Sequence, residues 1–205
     1  MASEIVVVRH GETEWSREGR HTGNTDVPLT ETGAAQAAGI RAALEGSAFE
    51  RVLTSPLARA AETARLAGYG EEAERRDELR EWDYGDYEGR TTAEIREERP
   101  GWTLWRDGVP GGETAGQVAA RVDRLLGELR PVEGRVLLFA HGHLLRVLAA
   151  RWIGLEPEAG RHLALDAATI SVLGHERETP VIRVWNAPLA AKKTSSPVNP
   201  RAHRT

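Results

Sequence analysis

Two apolar runs organise the pattern of this chain. Ile5-Val6-Val7-Val8 is continuous and β-branched, and Val136-Leu137-Leu138-Phe139-Ala140 is apolar from end to end. Such runs predict strands buried on both faces of a parallel sheet, where neither side meets water. Arg51-Val52-Leu53-Thr54 predicts a third, shorter strand. Ile170-Ser171-Val172-Leu173 and Val181-Ile182-Arg183-Val184 predict two closing strands, joined as a hairpin with a longer loop.

Helical spacing fills the intervals. Ser55-Pro56 predicts a helix start, with Ser55 as N-cap and Pro56 at the first helical position, running to about Ala67 and stopping at Gly68. Thr114 with Gln117 has the spacing of a capping box and opens a helix whose apolar stripe is Val118, Val122, Leu125, Leu126 and Leu129. Thr91 with Glu94 predicts another such start. Strands alternating with helices predict a three-layer α/β/α sandwich on a mainly parallel sheet. One domain is expected over residues 1–189. Within it, residues 79–112 are rich in glycine and tryptophan and poor in strand signals, which predicts an excursion over one end of the sheet. Residues 190–205 are polar and proline-bearing, which predicts a disordered tail.

Composition narrows the chemistry. The 205 residues carry a net charge of -4, which offers no footprint for nucleic acid or an anionic membrane. Cysteine is absent, which excludes disulfides, thiolate metal sites and a cysteine nucleophile. No stretch approaches the ~20 apolar residues of a membrane helix. A cytoplasmic protein is the expectation, and a homodimer stays open.

The chemistry sits where the long apolar runs end. The first passes into Arg9-His10-Gly11 and the second into His141-Gly142-His143. In open α/β sheets, ligands bind beyond the carboxyl ends of the strands. If the two strands are neighbours, His10 and His141 face each other there, with Arg9 beside them. Arg59, in the first turn of the helix after the third strand, points into the same end. Each residue also has a plain reading: a histidine as a turn residue, Arg9 as a surface charge, Arg59 paired with Glu62 on its own helix. Their joint placement favours an oxyanion site. His141 and His143 as a metal pair is the rival reading, with no third and fourth ligand in view. Trp15, Trp82, Trp102 and Trp105 either wall the pocket or fill gaps beneath a glycine-rich loop.

At this point the chain resembles the histidine phosphatase superfamily, in its phosphoglycerate mutase-like branch. The resemblance runs in order through Arg9-His10-Gly11-Glu12-Thr13-Glu14-Trp15, His21-Thr22-Gly23, Asp26-Val27-Pro28-Leu29-Thr30 and Ser55-Pro56-Leu57-Ala58-Arg59-Ala60 with Thr63-Ala64. It continues through Leu79-Arg80-Glu81, Tyr84-Gly85, Glu88-Gly89 and Ala140-His141-Gly142-His143. It implies a phosphate monoesterase in which His10 carries the phosphoryl group and Arg9, Arg59 and His141 form the phosphate pocket. Glu81 is implied as general acid and base, and Gly11, Thr22, Gly23, Tyr84, Gly142 and His143 as further substrate contacts. The implied substrate is a small phosphate ester, and no cofactor or metal is needed. Glu81 sits among Asp77, Glu78, Asp83, Asp86 and Glu88, and only the resemblance selects it. Like-charged neighbours of this kind are expected to help keep one carboxyl protonated.

Mutases of the branch are longer. They carry a lysine where this chain has Thr92, an asparagine where it has Ser16, and a later arginine pair that is missing here. Arg90 or Arg106 are the candidates to stand in. Phosphatase is therefore the expectation and mutase the alternative. The run from Arg80 to Gly89, with Trp105-Arg106-Asp107-Gly108, is similar to the fungal sedoheptulose bisphosphatase type and to bacterial acid phosphatases, so a sugar phosphate or a broad range of esters is expected.

Overall fold

The computed structural model describes residues 4–189, so the tail expected from Ala190 lies outside the described residues. Strand β1 (Glu4–Arg9) is followed by the short helix α1 (Glu14–Glu18) and by α2 (Glu31–Leu44). Next come β2 (Arg51–Thr54), α3 (Ala58–Leu66) and the two-residue β3 (Glu74–Arg75). Short 3₁₀ turns at Asp77–Leu79 and Gly85–Tyr87 lead into α4 (Thr92–Glu98) and α5 (Leu104–Asp107). The chain continues through α6 (Ala115–Leu129), β4 (Arg135–Ala140) and α7 (Gly142–Trp152), then a 3₁₀ turn at Pro157–His162, and closes with β5 (Ile170–Glu176) and β6 (Thr179–Ala187).

The six strands form one sheet in the order β3-β2-β4-β1-β5-β6. The β1–β4, β2–β4 and β2–β3 pairings are parallel, while β5 and β6 are added antiparallel. Side chains alternate across the sheet. Val6 and Val8 pack with Ile40, Leu44 and Ala64 of α2 and α3 on one face. Ile5 and Val7 join Val122, Leu126, Leu145 and Leu148 of α6 and α7 on the other. The layers are therefore helix, sheet, helix. The β-branched run works because both faces are sealed: Ile5 to Val8 are at most 1% exposed. At about 1.5–3 kcal/mol for each buried aliphatic side chain, this strand is a large contributor to the core.

Both expected capping boxes form, Thr91 with Glu94 and Thr114 with Gln117. All five residues of the expected stripe on α6 are buried. Two expectations fail. Helix α3 starts at Ala58 after an N-cap at Leu57 that has no side-chain bond, so Ser55 is not its cap. The hairpin has no longer loop: β5 and β6 run on until only Arg177 and Glu178 separate them. The added residues, Gly174-His175-Glu176 and Thr179-Pro180, carry no alternation of apolar and polar side chains, so the hydrophobic pattern does not reveal backbone pairing that continues past it.

Candidate active site

Register brings the two histidines together. In the parallel β1–β4 ladder Arg9 lies opposite Ala140, so His10 and His141 leave adjacent strands side by side at their carboxyl ends. Their rings meet edge to face, with centroids 5.1 Å apart. The turn after His10 needs a glycine. A Cβ on Gly11 would lie 2.3 Å from the carbonyl oxygen of Gly33.

Hydrogen-bond partners decide the state of each ring. His10 Nδ1 lies 2.7 Å from the Gly11 carbonyl, which can only accept, so Nδ1 carries the proton. In the neutral ring the lone pair is then on Nε2. His141 Nδ1 receives the Arg59 Nε–H at 3.2 Å, and its Nε2 is 2.8 Å from Ser55 Oγ. An arginine cannot accept, so the neutral His141 carries its proton on Nε2. This explains Ser55: its hydroxyl faces His141 instead of capping a helix. Both rings are held well below the ordinary imidazole range. For each, burial is the largest cause and the Arg59 guanidinium the next.

Arg59 is fully buried. Its guanidinium donates to the carbonyls of Thr25 at 2.9 Å, Thr22 at 3.0 Å and Gly23 at 2.8 Å, and so fastens the 22–25 loop. Glu62 pairs with Arg65. Arg9 donates Nη1 to the Leu165 carbonyl, while its buried Nε has no protein partner among the described residues. A buried N–H without an acceptor is costly, and Arg9 lines the cavity.

Glu81 closes the other side. Helix α7 has no side-chain cap of its own. The Glu81 carboxylate supplies it from 62 and 63 residues away, with Oε2 accepting the His143 N–H at 3.0 Å and Oε1 the Leu144 N–H at 2.8 Å; Oε1 also accepts the neighbouring Trp82 N–H at 2.9 Å. Carboxylates suit helix N-termini. The acidic neighbours turn elsewhere: Asp77 pairs with Arg80, Asp83 accepts from Gly85 N–H, and Glu88 accepts from the N–H groups of Gly23 and Thr25. Asp77, Asp83 and Glu113 nevertheless line one surface hollow together with Glu81. Backbone donors supply its immediate contacts.

A cavity of about 250 Å³ opens over these groups. Of the expected residues, Arg9, His10, Thr22, Glu81, Tyr84, Gly142 and His143 line it. Gly11, Gly23, Arg59 and His141 are buried and are not among the lining residues. Gly142 lets Arg9 lie close over the start of α7, since a Cβ there would come within 3.3 Å of the Arg9 Cζ and Nε and push that side chain aside by a few tenths of an ångström. Tyr84 hydroxyl and His143 Nδ1 are 2.6 Å apart. Burial raises the phenol well above its usual range and holds the imidazole well below its own, so both groups meet uncharged.

Ser16, Gly19, Arg20, His21, Thr92, Arg146 and Leu165 also line the cavity and were not among the expected contacts. His21 stood in the quoted motif, and Arg146 lies three residues beyond His143 on α7, one helical turn onward. That spacing was a usable signal. None of the four singled-out tryptophans lines the cavity; Trp82 and Trp102 are core residues, so the gap-filling reading holds for them. His141 and His143 turn to different partners, and among the described residues no three His, Cys, Asp or Glu are placed to hold a metal ion. Arg90 pairs with Glu98 and Arg106 with Asp107, and neither lines the cavity.

Paired imidazoles, a buried guanidinium and one carboxylate gather beyond the strand ends of a mainly parallel sheet, the layout of an α/β enzyme. The chain belongs to the histidine phosphatase superfamily (branch 1), whose pattern matches residues 5–188. It is 42% identical over 176 residues to an acid phosphatase of Mycobacterium tuberculosis, covering 84% of this chain and 86% of that protein. It is 39% identical over 188 residues to sedoheptulose 1,7-bisphosphatase of Saccharomyces cerevisiae, covering 76% of this chain and 69% of that protein. A solved structure of an open reading frame from Mycobacterium tuberculosis superposes with a TM-score of 0.85 at 37% identity, covering 92% of this chain and 99% of the other. Among the described residues, no helix is long and apolar enough to cross a membrane.

Proposed function

We infer that this protein is a phosphomonoesterase that works through a phosphohistidine on His10, with small sugar phosphates or related esters as substrates. The observation that carries this is the tautomer of His10: a neutral, buried ring whose Nδ1–H is committed to Gly11 and whose Nε2 lone pair is left for phosphorus. Nε2 bonds to phosphorus as the ester P–O bond breaks, and Glu81 gives its proton to the departing alkoxide. Water then attacks the phosphohistidine, Glu81 takes the proton from that water, and the N–P bond breaks. Arg9 offers its Nε–H and its charge to the phosphoryl oxygens. Arg59 adds charge from behind and orients His141.

The lining supports small polar substrates. Thr22, Thr92, His21 and His143 offer hydrogen bonds for hydroxyl groups, and Arg20 and Arg146 are cations at the same cavity. A phosphatase is favoured over a mutase because Thr92 faces the cavity where mutases carry lysine, and the Ser16 hydroxyl is spent on the cap of α1. The two relatives named above, both phosphatases by name, lean the same way.

The test is a screen of sugar mono- and bisphosphates, phosphoglycerates, nucleotides and an aryl phosphate, with acid-quench trapping of the enzyme. Free phosphate and an acid-labile, base-stable phosphoprotein are expected, and both are expected to disappear in His10→Ala. Phosphoglycerate interconversion without free phosphate would overturn the hydrolytic reading, and an acid-stable phosphoprotein would overturn His10 as carrier.

A further inference from the structure

We propose that Arg121 is a positioning residue for Glu81, fixing the acid's main chain so that its carboxyl meets the leaving oxygen; this rests on the general-acid reading of Glu81. Arg121 lies on α6, buried, outside the lining of the cavity. All five of its N–H groups are spent. Nε and Nη2 grip the two carboxylate oxygens of Glu113 at 2.8 and 2.9 Å. Nη1 donates to the carbonyls of Glu78 at 2.8 Å and Arg80 at 2.7 Å, and Nη2 donates to that of Glu81 at 3.0 Å. Three carbonyls of the segment that ends on the acid converge on one rigid fork.

Glu113 ties down the next residues. Its Oε2 accepts the Asp83 N–H at 3.0 Å, its carbonyl accepts the Trp82 indole N–H at 2.8 Å, and its own N–H donates to Asp83 O at 2.9 Å. The approach is close enough that a Cβ on Gly112 would lie 2.3 Å from Asp83 O. Glu81 is therefore held twice, its carboxyl by the first turn of α7 and its main chain by the Arg121–Glu113 pair. A buried ion pair adds little net stability over an apolar substitute. What this one does add is a fixed address for a carboxyl whose misplacement by about 1 Å can cost on the order of 10²-fold in rate.

The arrangement predicts a dependence on the leaving group, which a merely structural role would not produce. An alkoxide needs a proton to leave, and 4-nitrophenolate does not. In Arg121→Lys, kcat/KM, which reports the steps up to departure of the leaving group and not the shared hydrolysis of phosphohistidine, is expected to fall about 10²-fold on glycerol phosphate and less than about 10-fold on 4-nitrophenyl phosphate. Glu113→Gln, which keeps the shape and loses the charge, is expected to show the same bias in weaker form. Glu81→Gln is the reference and is expected to show it most strongly. Thermal midpoints of all three show that folded enzyme is compared. Equal losses on both esters in Arg121→Lys and Glu113→Gln, with the bias intact in Glu81→Gln, would overturn the positioning role alone. No bias in Glu81→Gln would overturn the general-acid reading and the positioning role with it.

Discussion

His10 Nδ1 and the carbonyl oxygen of its neighbour Gly11 stand 2.7 Å apart, and this short bond commits one nitrogen of the ring before any substrate arrives. A phosphoryl group taken up by His10 is therefore expected on Nε2. Phosphorus–nitrogen coupling in the trapped, unfolded phosphoenzyme distinguishes the two isomers. Phosphate found on Nδ1 would show that the ring turns over before it reacts.

The glycines beside the two histidines are expected to fail differently. In Gly11→Ala the new methyl meets the backbone of Gly33 at 2.3 Å, so something rigid must shift. A loss of about 1–3 kcal/mol is expected, read by denaturant or thermal melting. In Gly142→Ala the methyl meets the Arg9 side chain at 3.3 Å, and that side chain can move by a few tenths of an ångström. Here melting is expected to change little, while kcat/KM falls about 10-fold or more because Arg9 is displaced. Equal effects of the two substitutions on stability would contradict this division.

Activity is expected to survive mild acid. Burial and the guanidiniums of Arg59 and Arg9 depress the His10 pKa, so its neutral, nucleophilic form persists as pH falls through the ordinary imidazole value near 6.5. Loss of kcat/KM by protonation of His10 comes only at the lower, depressed value. An acid limb with its midpoint close to 6.5 would mean that the ring is not shielded as described.

Stability should move the opposite way. His21 is buried beside Tyr84 and Trp102, and burial lowers its pKa to about 4. Between about 6.5 and 4 the unfolded chain binds a proton at this residue and the folded chain does not, so stability declines as pH falls through that window. The contribution from His21 is on the order of 3 kcal/mol. His10, His141 and His143 act with the same sign. Replacing His21 with Phe keeps a ring in place and is expected to flatten the decline in melting temperature between pH 6.5 and 4. Identical slopes in the two proteins would refute it.

Much of the architecture was readable in short windows. The strands β1, β2 and β4, the two capping boxes and the buried stripe of α6 follow from local periodicity, because each residue's partner type is set by its own spacing. Placement of Arg-His-Gly and His-Gly-His after apolar runs also located the end of the sheet where the two imidazoles meet. Ser55 and the final hairpin were misread because local rules have no access to what lies across the sheet. Ser55 answers to His141, 86 positions away, and β6 answers to the backbone of β5.

By itself, then, the sequence determined the buried strands and the helices α3, α4 and α6, and that cationic and imidazole groups gather beyond strand ends, since hydrophobic period and turn chemistry act over a few residues. Tertiary structure decided the rest. Strand order and register set His10 against His141, the first turn of α7 singled out Glu81 among its acidic neighbours, and Arg121 reached three carbonyls that no spacing connects to it. Those choices depend on distances between segments far apart in the chain, and such distances exist only once the sheet has formed.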